Sequence, residues 1–258
     1  MALLNSFTSG VSAVKTFGKS LEVIGDNIAN VNTTGFKGSR TTNKDNFSDT
    51  FRAASVGGSN SMQVGSGTSV ASISQKFTQG VLSTTGGPAD LGIAGSGFFK
   101  VTTTATTPVT FYTRAGDFRI DSTGTLLTND GLKIDSVADG SFLNVDSYQI
   151  AKDGTITTFK AGVKTILPTK INLVTFANPN GLKREAGNLF SNVGDAAGAE
   201  NSGPANKGDI IQGTLELSNV DLTQEFSDLI LAQRAFQAGS RIITVSDSVM
   251  EEIVNLKR

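Results

Sequence analysis

The sequence predicts an α + β protein in which paired N- and C-terminal coiled-coil helices flank an inserted all-β domain. Three observations carry this expectation. Between Asp221 and Arg258, the residues Leu222, Leu229, Phe236, Ile243 and Met250 stand seven apart. Near the start, Phe7, Val14, Leu21 and Ile28 repeat that spacing, with Leu4, Val11, Gly18 and Gly25 in an offset column. An apolar seam at heptad spacing marks a helix that packs lengthwise on another helix. Between these ends, from Val70 to about Gly213, short aromatic and β-branched runs alternate with glycine turns, as in an all-β domain. The expected division is residues 1–34 and 215–258 for the helical part, 35–69 for an extended connecting segment, and 70–214 for the β domain.

Each element follows from local chemistry. In the first helix, Gly18 and Gly25 each cost about 1 kcal/mol against Ala, and residues that small on a seam let another backbone come close. The helix is expected to stop between Asn30 and Thr34, where Asn-Val-Asn-Thr-Thr has weak helix propensity and Gly35 follows. Four polar residues at its end, Asp26, Asn27, Asn30 and Asn32, suit either hydrogen bonds to neighbouring backbones or the simple turn chemistry of a helix C-terminus. Residues 39–68 are rich in Ser, Asn, Gly and Thr, with apolar islands at Phe47 and Phe51 and a Gly57–Ser61 tract. They read as extended or loop-like. Strands are expected at Phe98–Val101, Phe111–Thr113, Phe118–Ile120, Leu126–Thr128 and Ile171–Phe176. Turns are expected at Asp121–Gly124, Asn129–Gly131, Asp139–Gly140, Asp153–Gly154 and Asn178–Gly181. The last helix opens on Asp221 as N-cap, with Gln224 three residues on, as a capping box requires. Its second column begins at Phe226 and ends at Val254, with Gln233, Ser240 and Asp247 between. At 1.5 Å per residue it would be roughly 55 Å long.

Composition excludes much chemistry. The 258 residues include 22 basic and 23 acidic side chains, for a net charge of −1, with no basic patch to hold nucleic acid. There is no cysteine, histidine or tryptophan. Disulfides, thiolate and imidazole metal sites and His-dependent triads are therefore ruled out. Gly92-Ile-Ala-Gly95-Ser-Gly97 leads into a strand, whereas a phosphate cradle needs a helix N-terminus. It reads as a tight turn or bulge. Asp121, Thr123, Asn129 and Asp130 do not fit EF-hand spacing. Acid pairs such as Asp117 with Asp121, or Glu251 with Glu252, show no apolar pocket around them. No catalytic residue, metal ligand or cofactor site is assigned. No run is long and apolar enough to span a membrane, and the N-terminus is unlike a secretory signal. A chain of this kind that leaves the cell would need another export route.

A resemblance adds to this reading. Ile24-Gly-Asp-Asn27-Ile-Ala29-Asn30-Val-Asn-Thr-Thr-Gly35-Phe36-Lys37 resembles the N-terminal signature of the bacterial flagellar rod and hook proteins. Gln212-Gly-Thr-Leu-Glu216-Leu-Ser218-Asn219-Val220-Asp221-Leu222 and Ala232-Gln233-Arg234-Ala235-Phe236 are similar to that family's C-terminal motifs. The middle agrees through Asp90–Phe99, Tyr112–Phe118 and Asn180–Leu182. The resemblance implies a structural protein, not an enzyme. Such a subunit stacks with copies of itself into a hollow tube that carries torque from motor to filament, in the basal body or hook. It implies adjacent rod, hook or junction proteins and the flagellar type III export apparatus as partners, and terminal helices that form on assembly. The hook protein usually carries an additional outer β domain, for which this chain leaves little room. The resemblance thus fits a rod protein or a hook protein lacking that domain. The alternative is a surface-exposed or secreted β-domain adhesion protein, which would not need the terminal seams.

Overall fold

The computed structural model describes residues 2–52, 62–104, 108–193, 196–201 and 207–256, with the backbone alone at 2–4 and 48–52. It has N- and C-terminal helices and a central β-rich region. The chain forms two compact units: residues 1–29, 39–76 and 221–258 make one, and residues 30–38 and 77–220 the other. The boundary expected between residues 69 and 70 falls inside a strand, and of the segment read as a connector residues 39–69 group with the helices and 35–38 with the β-rich unit.

In the first unit, α1 (Ala2–Ala29) packs antiparallel on α2 (Leu222–Leu256). Strands β1 (Ser39–Asp45), β2 (Ser48–Arg52), β3 (Met62–Gly65) and β4 (Thr68–Gln75) follow α1. β1 pairs with β4, and β2 with β3, both antiparallel. The described residues of the 39–68 stretch are therefore largely strand, where the sequence read as extended or loop-like. Thr and Ser lack the apolar alternation that flags a strand, although β-branched Thr fits a pleated surface. The Gly57–Ser61 tract lies outside the described residues.

The contact line between the helices differs from the expected one. Leu229, Phe236, Ile243 and Met250 are half-buried. The second column is not Phe226 to Val254, which stand 50% and 67% exposed. It is Ala232, Gly239 and Ser246, the buried residues of α2. The physical reason is close approach. A Cβ on Gly239 would lie 3.1 Å from Val14 Cγ2 and 3.5 Å from the Gly10 carbonyl oxygen, so the backbones nearly touch. Small residues at spacing seven permit this, and large apolar side chains in the same column would prevent it. On α1, Gly10 supplies the matching gap. Gly18 approaches Phe236, while Gly25 faces open space. Phe7, Val11, Val14, Leu21 and Ile28 are half-buried, Leu222 is exposed, and the side chain of Leu4 lies outside the described residues.

In the second unit, the strands after β4 run in order β5 (Leu82–Thr84), β6 (Leu91–Ala94), β7 (Phe98–Thr102), β8 (Thr110–Thr113), β9 (Arg119–Ile120), β10 (Leu126–Leu127) and β11 (Lys133–Ile134). They continue as β12 (Ser147–Ile150), β13 (Thr155–Lys160), β14 (Val163–Lys170), β15 (Leu173–Val174), β16 (Lys183–Arg184), β17 (Leu189–Ser191), β18 (Asp209–Gln212) and β19 (Thr214–Glu216). β7 is central. It pairs with β8 along one edge, while β15 and β11 share its other edge end to end. Its side chains alternate between two clusters, as the period of a strand requires. Phe99 and Val101 enter the larger core with Leu91, Ile93, Phe118, Leu126 and Ile156. Phe98 enters a second cluster with Tyr112, Val174, Phe176 and Phe190. Phe99 meets Phe118 edge to face at 5.1 Å. The predicted turns hold left-handed glycines at Gly124, Gly131, Gly140 and Gly154. The expected strand over 171–176 shortens to β15, and the Gly92–Gly97 run is strand β6 followed by a turn at Gly95 and Gly97. Phe99→Ala empties a fully buried site and is expected to cost about 3–5 kcal/mol. Val163→Ala, at a side chain 64% exposed, is expected to stay within about 0.5 kcal/mol. Urea unfolding of the two variants measures the contrast.

Candidate functional site

The chain's polar motifs gather at two places, one in each unit. In the first unit, α1 turns Thr16, Ser20 and Asn27 toward β1 and β4, and all three are buried. The Thr16 hydroxyl donates to the Thr68 carbonyl at 3.1 Å, and Ser20 and Thr41 share a hydrogen bond at 3.2 Å. Asn27 closes the row. Its amide nitrogen donates to the Ser39 carbonyl at 2.8 Å and its oxygen accepts from the Ser39 N–H at 2.8 Å. An apolar face would not have needed these partners, so the row fixes the register of the hairpin on the helix. Asp221 accepts from the N–H groups of Thr223 and Gln224 at 2.9 and 3.4 Å. The Gln224 side chain turns to Asp228, so the cap is made and the reciprocal half of the expected capping box is not.

In the second unit, a buried carboxylate holds two cations. The Lys37 ammonium donates to Glu216 Oε1 at 2.6 Å, and the Arg114 guanidinium to Oε2 at 3.3 Å. The Gly80 N–H also donates to Oε1, at 2.8 Å. The Lys37 and Glu216 side chains are wholly buried and that of Arg114 nearly so. Burial pushes the Lys37 pKa below its ordinary range against the pull of Glu216. The Arg114 pKa falls for the same reason. Lys37 also donates to the Thr78 carbonyl at 2.9 Å, and Arg114 lies over the Phe98 ring at 5.3 Å. The surrounding backbone joins in. The Gly35 N–H donates to the Glu216 carbonyl at 2.8 Å. Asn219 accepts from the Gly38 N–H at 2.8 Å and donates to the Thr78 carbonyl at 3.0 Å. Gly35 has φ +68°, and a Cβ there would meet the Ala115 nitrogen at 2.5 Å. Only glycine fits that position. Phe36 is buried under the Arg184 guanidinium, 4.7 Å from its ring centre.

The motif residues thus divide. Asn27 lies in the first cluster, and Gly35, Phe36 and Asn219 lie in the second. Ser218 Oγ accepts from the Val220 N–H, and Asn30 Oδ1 accepts from the Thr33 hydroxyl. Ala29 is exposed at the end of α1, and Gln233 and Arg234 are exposed on α2, where Arg234 reaches Gln237. Lys37, Arg114 and Glu216 were present in the quoted motifs without a role. The available signal was a carboxylate between two leucines in Thr214-Leu-Glu-Leu217. No group of three or more acidic residues among the described ones is placed to hold a metal ion. The arrangement ties the end of β19 to three other segments of the chain, at Lys37, Gly80 and Arg114.

Removing Glu216 strands two buried cations, whereas removing Lys37 leaves Glu216 paired with Arg114. Glu216→Gln is therefore expected to cost about 3–5 kcal/mol in urea unfolding, and Lys37→Met clearly less. The pH dependence has a definite sign. A folded-state Lys37 pKa below the unfolded value of about 10.5 means that the unfolded chain binds the proton more tightly. The unfavourable contribution of Lys37 is then present at neutral pH and fades as pH rises toward that value. Wild type should lose less stability than Lys37→Met between neutral pH and about 10.

Comparison with known proteins places these elements. Residues 7–37 match the family model described as flagella basal body rod protein. Residues 92–158 match the flagellar hook protein FlgE/F/G D1 domain, and residues 211–256 match the flagellar basal body rod FlgEFG protein C-terminal model. The flagellar basal-body rod protein FlgG of Bacillus subtilis is 43% identical over 267 residues, covering 99% of this chain and 100% of the relative. The FlgG proteins of Agrobacterium fabrum and Borreliella burgdorferi are 35% and 33% identical, each over 100% of this chain and 100% and 99% of their own. The flagellar hook protein FlgE of Treponema pallidum is 45% identical over 130 residues, which is 48% of this chain and 27% of that protein. Helix, β-rich centre and helix, matched in order and nearly end to end, make this chain a member of the flagellar basal-body rod and hook protein family, a structural subunit of the flagellar axial structure.

Proposed function

We propose that this chain is a rod subunit that assembles helically with copies of itself into a hollow tube transmitting motor torque. The relatives matched along their whole length are rod proteins, and the hook relative is matched over only a quarter of its own, which favours rod over hook. The observation that carries self-assembly is the outer surface of α2. Phe226, Ile230, Leu231, Ile242 and Val245 are between 45% and 67% exposed, on a helix whose other side already packs on α1. A run of apolar side chains that long on a water-facing helix marks an association surface. Contacts from that surface to a different patch on the next copy are heterologous and generate an open helix.

The half-buried side chains Phe7, Val11, Val14, Leu21 and Ile28 of α1, with Leu229, Phe236, Ile243 and Met250 of α2, have area left over for neighbours, and Leu222 and Phe226 are freer still. Leu4 completes the proposed set from the sequence alone. Pairing of the helices as a regular coiled coil within the assembly belongs to this proposal. So does passage through the flagellar type III export apparatus as an extended chain. Helices of this length gain most of their stability from packing, so neighbours would complete their ordering. Adjacent rod, hook or junction proteins would cap the ends of such a tube.

The test uses the full chain. Wild type is expected to form elongated particles in negative-stain micrographs and a concentration-dependent fast boundary in sedimentation velocity. Phe226→Asp/Leu231→Asp is expected to remain monomeric with a normal β-sheet signal. A wild-type chain that stays monomeric up to its solubility limit would overturn the proposal.

A further inference from the structure

The first unit carries an apolar groove of about 490 Å³ that the helix pair does not fill. Phe7 and Val11 of α1 and Val70 of β4 line it, and Lys15 and Lys19 stand on the same side of α1. Lys19 is engaged with Glu22 at 2.5 Å. Lys15 is exposed and makes no hydrogen bond or ion pair among the described residues.

An apolar element flanked by two carboxylates, Glu251 and Glu252, exists near the end of α2. Gly10 of α1 lies against Ile243, and Gly18 against Phe236. At equal rise along both helices, Ala2 comes level with roughly Met250. The turns that follow run past the start of α1. There Ile253 and Val254 are about half and two-thirds exposed, and Leu256 is 85% exposed. At 100° per residue, Leu256, Val249, Ile253, Met250 and Val254 form one apolar arc. Glu252 borders it on one side and Glu251 on the other. Neither carboxylate has a partner among the described residues, and Lys257 and Arg258 lie outside them. The helix points away from its own groove, so it cannot fill that groove within one chain.

We infer that the C-terminal turns of α2 from a second copy of this chain dock in the groove lined by Phe7, Val11 and Val70, with Lys15 facing the carboxylates of Glu251 and Glu252. This rests on the self-assembly proposed above and names one of its contacts. Apolar burial would supply the attraction, and the opposite charges would set direction and register.

Charge exchange tests it. In sedimentation of the full chain, Lys15→Glu is expected to raise the critical concentration for assembly about tenfold, and Glu251→Lys/Glu252→Lys to do the same. The combined variant is expected to return to within about threefold of wild type. Far-UV circular dichroism of each variant below its critical concentration should match wild type, since all three positions face solvent. Single-side variants that assemble like wild type, or a combined variant no better than either parent, would overturn this contact and leave self-assembly standing. A wild-type chain that never assembles would overturn both.

Discussion

The interaction on which the second unit depends is the burial of one carboxylate. Glu216 is the last residue of β19, with its side chain out of water. Transfer of an isolated carboxylate to such a place is prohibitive, so its partners are obligatory rather than optional. They come from three separate stretches of sequence: Lys37, Gly80 and Arg114. Meeting that one demand fixes four chain segments relative to each other. A hydrophobic cluster of similar size would hold the same segments together but would tolerate sliding among them. Charge and hydrogen-bond geometry do not, which is a reason for such a fold to spend a buried charge there.

The two polar clusters share a piece of logic. Gly38 and Ser39 are consecutive, and each offers its N–H to the side-chain oxygen of an asparagine, Asn219 for the first and Asn27 for the second. Each asparagine also donates its amide to a backbone carbonyl, of Thr78 and Ser39 respectively. An amide side chain can serve a backbone donor and acceptor at once, where Asp could only accept and Lys could only donate. In both units the chain is thus held at a named atom where it leaves one element and enters the next.

Legibility in the sequence followed the physics of each signal. Both long helices, the glycine turns and the runs around Phe98 and Phe111 were visible because apolar periodicity and left-handed glycine are local. The β1–β4 pair was not visible, because Ser, Thr and Asn at 39–45 carry no alternation and the pair is held by Thr16, Ser20 and Asn27 of α1, contacts that no local pattern announces. The helix contact line was half legible. Periodicity located Leu229, Phe236 and Ile243, but it scores large apolar residues, and the neighbouring column of Ala232, Gly239 and Ser246 is chosen for smallness. The Glu216 cluster could be quoted as motifs but not assembled, since nothing local says that residues 37, 114 and 216 meet.

The smallness of the second column has a functional consequence. Had Phe226 and Val254 faced α1, two more apolar side chains would have been withdrawn from the surface of α2. Instead the close contact is made by Gly10, Ala232, Gly239 and Ser246, which bury little area each but bring the backbones together. Phe226, Ile230, Leu231, Ile242 and Val245 are left on the outside. A helix pair built this way is closely packed at its centre and apolar at its surface, which suits the self-assembly proposed above. The small-residue line and the exposed apolar faces are then two consequences of one choice of helix rotation. A rotation of one residue position on α2 would break the small-residue line and turn Phe226 toward α1.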